Sequence, residues 1–239
     1  MPLSKLPIVW VTGASRGIGL AIAKEFSRTG ACVILSGRNI AALRRNVTAI
    51  ERSGGCATAV RCDISSERSV SRAYALIRRK HAGVDVLVNN AGVTYFKNFS
   101  STTVKDLDHV IATNLRGMFL CTKAVLPAML RKRHGFIITI GSVSATTTFV
   151  NASAYSASKA GMLAMSRVLR AEVRKKGIRV IDVLPGAVDT EMWGRSERKK
   201  FSKRMMQPKD IADVVVSLFK QPTRVLTEEI VIRPVEGDL

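Results

Sequence analysis

A tyrosine and a lysine four residues apart, Tyr155 and Lys159, are the pair in this chain best suited to chemistry. The segment around them has a helical pattern, so both side chains lie on one helix face. An ammonium beside a phenol stabilises the phenolate and brings the tyrosine pKa down towards neutrality, which suits proton transfer to or from a carbonyl or alcohol oxygen. The hydroxyl of Ser142, at the end of a predicted strand, is placed to hold that oxygen. By itself, such a pair is also common on helix surfaces.

A glycine-rich turn near the N-terminus has the chemistry of a phosphate site. It follows an apolar run and leads into a segment with helical periodicity. Glycines let the backbone approach a phosphate closely, and a helix N-terminus offers free N–H groups and the positive end of its dipole. The spacing is GxxxGxG rather than GxGxxG. A tight strand-to-helix turn is the alternative, but it does not explain three glycines in seven residues. The predicted contacts are Gly13, Ser15, Arg16, Gly17, Ile18 and Gly19.

Arg38 follows the second apolar run, at the position where a dinucleotide-binding fold selects its cofactor. An Asp or Glu there accepts hydrogen bonds from a ribose hydroxyl, whereas an arginine favours a 2′-phosphate. Arg16 offers a second guanidinium. We therefore expect NADP(H) rather than NAD(H). The alternative is that Arg38 is one more surface arginine in a very basic chain.

Two further turns follow apolar runs and complete the predicted cofactor site. Asp63 and Ile64 come after the third run, where adenine would lie. Asn90, Ala91 and Gly92 come after the fourth, and small residues there would let the backbone pass close to the cofactor. Each signal is weak alone, because Asn and Gly are ordinary turn residues.

The order of elements predicts the architecture that brings these turns together. Short runs rich in Val and Ile, mostly without polar alternation, alternate with helical segments. This pattern predicts an α/β fold, a Rossmann-type doubly wound parallel sheet of about seven strands with helices on both faces. No repeat or linker divides the chain, so we expect one domain, residues 1–239, carrying both cofactor and substrate sites. The predicted strands are 8–11, 32–35, 57–61, 84–88, 136–140, 179–183 and 229–232. The predicted helices are 18–29, 40–53, 67–81, 104–133, 154–176 and 208–219.

The composition excludes several classes of protein. The 239 residues are 46% hydrophobic and 23% charged, with a mean hydropathy of +0.12, so intrinsic disorder is not expected. The apolar runs fall short of the roughly 18 to 20 residues of a membrane span. The N-terminus shows no apolar core of signal-peptide length, so a cytoplasmic location is expected. The four cysteines show neither CxxC spacing nor nearby histidines, so we expect them to be reduced and mostly buried thiols. They are Cys32, Cys56, Cys62 and Cys121. No metal site is expected.

The charge balance is the unusual feature of the sequence. The 38 Lys and Arg residues against 18 Asp and Glu give a net charge of +20, which indicates anionic partners of some kind. Several basic clusters fall at predicted helix ends, where cations complement the helix dipole. A solvated basic surface is therefore the simplest interpretation. Nucleic-acid binding is the alternative, and the low aromatic content of 5% argues against it.

Taken together, these motifs resemble those of the short-chain dehydrogenase/reductase family over nearly the whole chain. The resemblance covers the glycine-rich turn, residues 89–92, and the set of Ser142, Tyr155 and Lys159. Asn114 matches the family's fourth catalytic residue. Residues 185–190 are similar to the family's P-G-x-x-x-T segment, which embraces the nicotinamide. The cofactor contacts implied there are Pro185, Gly186, Val188 and Thr190.

The resemblance implies a role for each catalytic residue. Tyr155 would be the general acid in carbonyl reduction and the general base in alcohol oxidation. Lys159 would lower the pKa of Tyr155 and bind the nicotinamide ribose, and Ser142 would polarise the substrate oxygen. Asn114 would hold a water that passes protons through Lys159. Hydride would move directly between the nicotinamide and the substrate carbon.

The substrate is less defined than the cofactor. The 3-oxoacyl-carrier-protein reductases are the nearest guess, because an acidic acyl carrier protein would suit a basic rim near Arg131 or Arg195. Small ketones, quinones and sterols stay open. An NADP-sensing or scaffolding protein on the same fold is the alternative, although such relatives usually lose the tyrosine or lysine. The predicted pocket residues are Thr94, Tyr95, Phe96, Ser144, Phe149, Val150, Met192 and Trp193.

We expect a homotetramer, or at least a dimer, built on the helices near 104–133 and 154–176. The second helix carries more small and apolar residues at helical spacing than one stripe against the sheet requires. Tight packing of this helix on its own sheet is the alternative.

Many relatives end in Asp-Gly-Gly, so the different tail of this chain predicts different oligomer contacts. Residues 191–206 are short for a substrate lid and predict an open pocket. The small and apolar residues of the predicted helix 154–176, on which the expected assembly depends, are Ala157, Ala160, Gly161, Ala164 and Met165.

Overall fold

Seven parallel strands form one sheet in a computed structural model that describes residues 6–238. The strand order is β3-β2-β1-β4-β5-β6-β7. The doubly wound parallel sheet predicted from the sequence is confirmed. The prediction that the N-terminus has no apolar core of signal-peptide length concerns mainly residues 1–5, which lie outside the described residues. The strands are β1 (Ile8–Thr12), β2 (Cys32–Gly37), β3 (Cys56–Arg61), β4 (Val86–Asn89), β5 (Gly135–Ile140), β6 (Ile178–Pro185) and β7 (Glu229–Ile232).

Helices connect the strands at nearly the predicted positions. The predicted segment 104–133 is α4, a π-helical turn at Ile111–Arg116 and α5 in direct succession. A short helix in the basic segment, α7, was not predicted, because no apolar periodicity marks it. The helices are α1 (Gly17–Arg28), α2 (Ile40–Arg52), α3 (Glu67–Lys80), α4 (Val104–Val110), α5 (Gly117–Lys132), α6 (Ser153–Val173), α7 (Arg195–Phe201) and α8 (Pro208–Phe219).

The strand order reverses at β1, and this reversal creates the cleft that follows. β1 pairs with β2 on one side and with β4 on the other, so Val11 lies opposite both Leu35 and Val88. The chain after β1 continues into α1 on one face of the sheet, and the chain after β4 leads to α5 on the other face. In such sheets ligands bind outside the carboxyl ends of the strands at this switch point.

The inner strands of the sheet are covered on both faces, as their sequence pattern predicts, whereas the edge strands β3 and β7 are partly exposed, contrary to that prediction. On one face α1 and α8 pack on the sheet through Phe26 and Phe219, whose ring centres are 5.4 Å apart. On the other face α3 and α5 cover Trp10. The indole Nε1 of Trp10 donates a hydrogen bond to the Ser36 hydroxyl at 2.8 Å. None of the described helices is long and apolar enough to cross a membrane.

The prediction of four reduced cysteines is wrong for two of them. Cys32 and Cys56 form a disulfide. The parallel register of β2 and β3 places the two residues directly opposite one another, with Cα atoms 4.6 Å apart. This proximity depends on strand register, which the spacing of cysteines along the chain does not reveal. Cys62 and Cys121 are buried free thiols, as predicted, and burial raises the pKa of Cys62 to about 11.

Candidate active site

A cleft of about 930 Å³ lies at the carboxyl ends of the strands and collects most of the predicted site residues. Gly19 and Asn114 are predicted contacts that do not line it. All eight predicted substrate-pocket residues do line it, including Phe149 and Val150. The remaining predicted residues in its wall are Gly13, Ser15, Arg16, Gly17, Ile18, Arg38, Asp63, Ile64, Asn90, Ala91, Gly92, Ser142, Tyr155, Lys159, Pro185, Gly186, Val188 and Thr190.

The glycine-rich turn is packed so tightly that side chains would not fit. A Cβ at Gly13, where φ is +66°, would lie 2.7 Å from the Cα of Ala91. A Cβ at Gly19 would collide with the Asn90 side chain, whose Nδ2 donates to the carbonyl of Thr12 at 2.9 Å. Gly19 therefore acts beneath the cleft, by letting α1 approach the loop after β4, rather than by lining it.

The start of α1 has the donors that a dinucleotide pyrophosphate needs. Asn39 and Ser66 cap α2 and α3 through their side chains, whereas no side chain of the described residues caps α1. The first-turn N–H groups of α1 lack such an acceptor, and Gly17 and Ile18 of this turn line the cleft at the positive end of the helix dipole. Arg16 and Arg38 line the same end of the cleft. These features fit a phosphorylated dinucleotide.

Ser142 and Tyr155 line the other end of the cleft, away from Arg16 and Arg38. The backbone N–H of Ser144 donates a hydrogen bond to Ser142 Oγ at 3.1 Å, which fixes the serine side chain. Tyr155 lies in the first turn of α6 and is 8% exposed. Burial raises the pKa of Tyr155 above its usual value of 10.0, and the hydrogen bond from Ser142 opposes this rise.

Lys159 lies beneath the tyrosine, but the predicted net lowering of the Tyr155 pKa is wrong for this structure, because burial raises that pKa. Its Nζ donates a hydrogen bond to the carbonyl of Ile140 at 2.9 Å and lies 5.6 Å from the centre of the Tyr155 ring. Burial lowers the pKa of Lys159 to about 8. The ammonium is directed to the end of β5 rather than to the phenol, so desolvation dominates the Tyr155 pKa.

The Asn114 side chain is committed to holding protein segments together. It lies on the π-helical turn and is fully buried. Its Oδ1 accepts from the N–H of Val93 at 2.8 Å, and its Nδ2 donates to the carbonyl of Val93 and to Ser158 Oγ, both at 2.9 Å. Both hydrogens of Nδ2 are donated to protein groups, so Nδ2 has none left to donate to a water.

The substrate end of the cleft is aromatic. The rings of Phe96 and Trp193 stack with centres 5.7 Å apart, and Phe96 lies 6.4 Å from the Tyr155 ring. His109 and Asp238, which were not predicted, also line the cleft. A lone histidine on a helix and a carboxylate outside any helix or strand belong to no motif by which they could be predicted.

Comparison with known proteins decides the family. The model of the family described as short chain dehydrogenase matches residues 7–200. The chain belongs to the short-chain dehydrogenase family. A sepiapterin reductase of Chlorobaculum tepidum is 38% identical over 239 residues, covering 97% of this chain and 98% of that protein.

Two solved structures of proteins similar in sequence have the same fold. A metagenomic short-chain oxidoreductase in complex with NADP is 34% identical with a TM-score of 0.85, over 96% of this chain and 97% of that one. A variant of actinorhodin polyketide ketoreductase with NADPH is 30% identical with a TM-score of 0.91, over 100% of both chains. Both structures extend the family assignment to the α8 and β7 region, beyond the residues that the family model matches.

Proposed function

We propose that this short-chain dehydrogenase is an NADPH-dependent carbonyl reductase that uses Tyr155 as its proton donor. The observation that supports this most is that Ser142 and the buried Tyr155 line one end of a cleft whose other end carries Arg16 and Arg38. One end has a proton donor for a substrate oxygen. The other has cations for a cofactor phosphate.

NADP(H) is the cofactor, and the residues at its end of the cleft divide the work. The start of α1 would bind the pyrophosphate, and Arg38 and Arg16 would hold the 2′-phosphate by charge-assisted hydrogen bonds. Asp63 and Ile64 would border the adenine. The bound cofactor supplies the hydride. The protein supplies position and charge.

The proton steps belong to the chain's own side chains. Ser142 Oγ holds the substrate oxygen, and the Tyr155 hydroxyl donates its proton to that oxygen as negative charge develops there. The Lys159 ammonium stabilises the phenolate that remains, and it is charged below a pH of about 8. Asn114 acts as a positioning residue for the loop after β4. Its matched role in a water relay stays a prediction, with Oδ1 as the side-chain atom left for it.

A ketone on a flat ring is the substrate class that we propose first. Sepiapterin is a ketone attached to a planar pterin, and the relative named sepiapterin reductase covers nearly the whole chain. The stacked rings of Phe96 and Trp193 beside Tyr155 give a flat substrate an aromatic surface. This class accounts for more of the pocket than a flexible acyl chain does.

A 3-oxoacyl thioester on an acidic acyl carrier protein is the second candidate. Arg195 starts α7, directly after the cleft residues Trp193 and Gly194, so a basic rim exists there. Arg131 does not contribute to it. It lies at the end of α5 just before β5 begins, at the amino ends of the strands and therefore away from the cleft. The single-domain organisation, the cytoplasmic location and the homo-oligomer belong to the same proposal.

The proposal is tested by NADPH oxidation with a panel of carbonyl compounds that includes sepiapterin and a 3-oxoacyl thioester. Tyr155→Phe is expected to lower kcat by about 10²- to 10⁴-fold, the usual value of acid–base help. NADPH affinity should stay close to that of the wild type. Tyr74→Phe removes another buried phenol, outside the cleft, and serves as the matched control. Wild-type rates in Tyr155→Phe would refute the mechanism.

A further inference from the structure

A second hydrogen-bonding group lies in the wall of the cleft, apart from Ser142 and Tyr155. The hydroxyl of Tyr95 and the Nδ1 of His109 are 2.6 Å apart, and both residues line the cleft. Thr94 lines it as well, and its hydroxyl is shielded from solvent with no hydrogen-bond partner among the described residues. The proton-donor mechanism uses none of these three side chains.

The loop that carries Thr94 and Tyr95 is fixed relative to the proposed proton donor. Both backbone groups of Val93 bond to the Asn114 side chain, at 2.8 and 2.9 Å. On the far side, the backbone N–H of Lys97 donates to the carbonyl of Asn151 at 2.8 Å. The loop is therefore held at both ends, and its polar groups keep a constant position in the cleft.

The helix that carries His109 is equally well placed. Thr103 and Asp106 form a reciprocal capping box at the start of α4. Asp106 also accepts a hydrogen bond from Lys97 Nζ at 2.7 Å, and that ammonium lies 5.5 Å from the centre of the Tyr95 ring. The ion pair thus links α4 to the loop on which Tyr95 lies.

The chemistry of the Tyr95 and His109 pair suits an oxygen atom of a ligand. When Nδ1 accepts the phenol proton, the phenol oxygen is free to accept from a ligand hydroxyl. When Nδ1 carries the proton instead, the phenol is free to donate to a ligand carbonyl. Burying the Thr94 hydroxyl without a partner is costly, because the group gives up its hydrogen bonds to water and gains none in return. A ligand oxygen would satisfy it.

We infer that Thr94, Tyr95 and His109 form a subsite for a second oxygen of the substrate. All three residues line the same cleft as Tyr155, so the subsite and the proposed proton donor face one bound substrate. The preferred substrates are then hydroxy ketones or diketones rather than simple ketones. This inference rests on the proposed carbonyl reductase activity.

Three substrates that share one carbon skeleton test the subsite. They are 1-phenyl-1-propanone, 2-hydroxy-1-phenyl-1-propanone and 1-phenyl-1,2-propanedione, and kcat and KM with NADPH are measured for each. In Tyr95→Phe, kcat/KM for the two compounds with a second oxygen is expected to fall by about 10- to 100-fold, as for a lost hydrogen bond to a substrate group. The value for 1-phenyl-1-propanone should fall much less, because this compound has no second oxygen to lose a hydrogen bond.

Two further variants separate recognition from a structural role. His109→Phe should lower the same two values, and His109→Asn should restore part of the loss, because its side chain keeps a hydrogen-bonding atom near the Nδ1 position. Tyr74→Phe is the control for the loss of a phenol elsewhere. Equal losses on all three substrates, or no loss on any, would overturn the subsite. A wild-type enzyme that reduces none of the three would count against the proposed function instead.

Discussion

The Asn114 side chain donates a hydrogen bond to the Ser158 hydroxyl at 2.9 Å, and Ser158 donates in turn to the carbonyl of Tyr155 at 2.7 Å. Val93 lies at the other end of this series, bonded to Asn114 through both backbone groups. The π-helical turn thus connects the loop after β4 to the turn of α6 that presents Tyr155. A change at Asn114 should therefore move the two walls of the cleft relative to each other.

Asn114→Ala is expected to destabilise the fold and to slow the reaction. It leaves the partly buried N–H and carbonyl of Val93 and the buried Ser158 hydroxyl without their partner, at a cost of about 1 to 3 kcal/mol. Thermal unfolding and kcat measure the two effects. Asn98→Ala, at an exposed position, is the control and should be neutral. A kcat equal to that of the wild type would show that Asn114 positions nothing.

Arg38→Asp is expected to shift the cofactor preference from NADPH towards NADH. The substitution replaces a phosphate-binding guanidinium by an acceptor for the ribose hydroxyl. We expect kcat/KM for NADPH to fall by about 10- to 100-fold, as for the loss of a charged hydrogen bond. Arg16 remains at the same end of the cleft, so the switch should be partial.

Arg52→Asp makes the same change of charge at the far end of α2, at an exposed position outside the cleft. It should leave the ratio of the two cofactors unchanged, which separates phosphate contact from the general field of a chain with a net charge of +20. A wild-type protein that already prefers NADH would overturn the assignment of Arg38.

The cofactor end of the cleft could be predicted from the sequence because its signals are local. The turn from β1 into α1 is contiguous in the chain, and Arg38 immediately follows a continuous apolar strand. Tyr155 and Lys159 are likewise separated by one helical turn. For such residues the chain itself fixes their proximity, so type and spacing predict the arrangement.

What the sequence could not reveal depends on contacts between distant segments. Cys32 and Cys56 meet only because of the register between β2 and β3. Tyr95 and His109 meet because a loop and α4 are brought together by tertiary packing. The direction of Lys159 Nζ towards Ile140 depends on the end of another strand. Periodicity and motif spacing carry no information about contacts of these kinds.

Carbonyl reduction is expected to slow as the pH rises above about 8. Burial lowers the pKa of Lys159 to about 8, so the lysine loses its charge there, while burial keeps the Tyr155 phenol protonated through the same range by raising its pKa. The loss of the ammonium removes stabilisation of the phenolate that forms as the proton leaves. A pH profile of kcat/KM for reduction measures this. A profile that stays level up to pH 10 would contradict a role for the lysine charge.

A buried ion pair between Arg170 and Asp182 should be essential for stability. Arg170 is 4% exposed and Asp182 1%, and Nε of the arginine also donates to the carbonyl of Val180 at 2.9 Å. Removing one partner of such a pair leaves a buried charge and costs about 3 to 5 kcal/mol. Arg170→Met is therefore expected to lower the unfolding free energy by that amount at neutral pH. Denaturant unfolding measures it.

The pH dependence of this loss follows from Asp182. Burial raises the pKa of Asp182 to about 6, so its contribution to stability is full below its unfolded pKa near 4 and is lost as the pH rises through 6. Without Arg170 the carboxyl takes up a proton more readily, so the loss should be smaller at pH 5 than at pH 7.5. Arg167→Met breaks an exposed pair with Glu229 and should cost less than about 1 kcal/mol. Equal losses in both variants would contradict the buried pair.

The outer face of α6 is the surface on which we expect copies of this chain to assemble. Ala157, Ala160, Ala164 and Val168 are exposed along it at helical spacing, and Val168 is 59% exposed. Gly161 has a reason within its own chain, since a Cβ there would lie 3.1 Å from the Leu115 side chain. Tight packing within the chain thus explains the glycine but leaves the exposed residues of this stripe without a function.

Ala164→Glu is therefore expected to break the assembly without unfolding the protomer. A small apolar residue allows close approach across a two-fold axis, and a carboxylate facing its own symmetry mate would be repelled and desolvated there. Light scattering should give two or four times 26.0 kDa for the wild type and a mass nearer 26.0 kDa for the variant. Ala49→Glu, on the exposed face of α2, makes the same change away from the stripe and should leave the mass unaltered. A wild-type mass of 26.0 kDa at micromolar concentration and physiological salt would refute the interface.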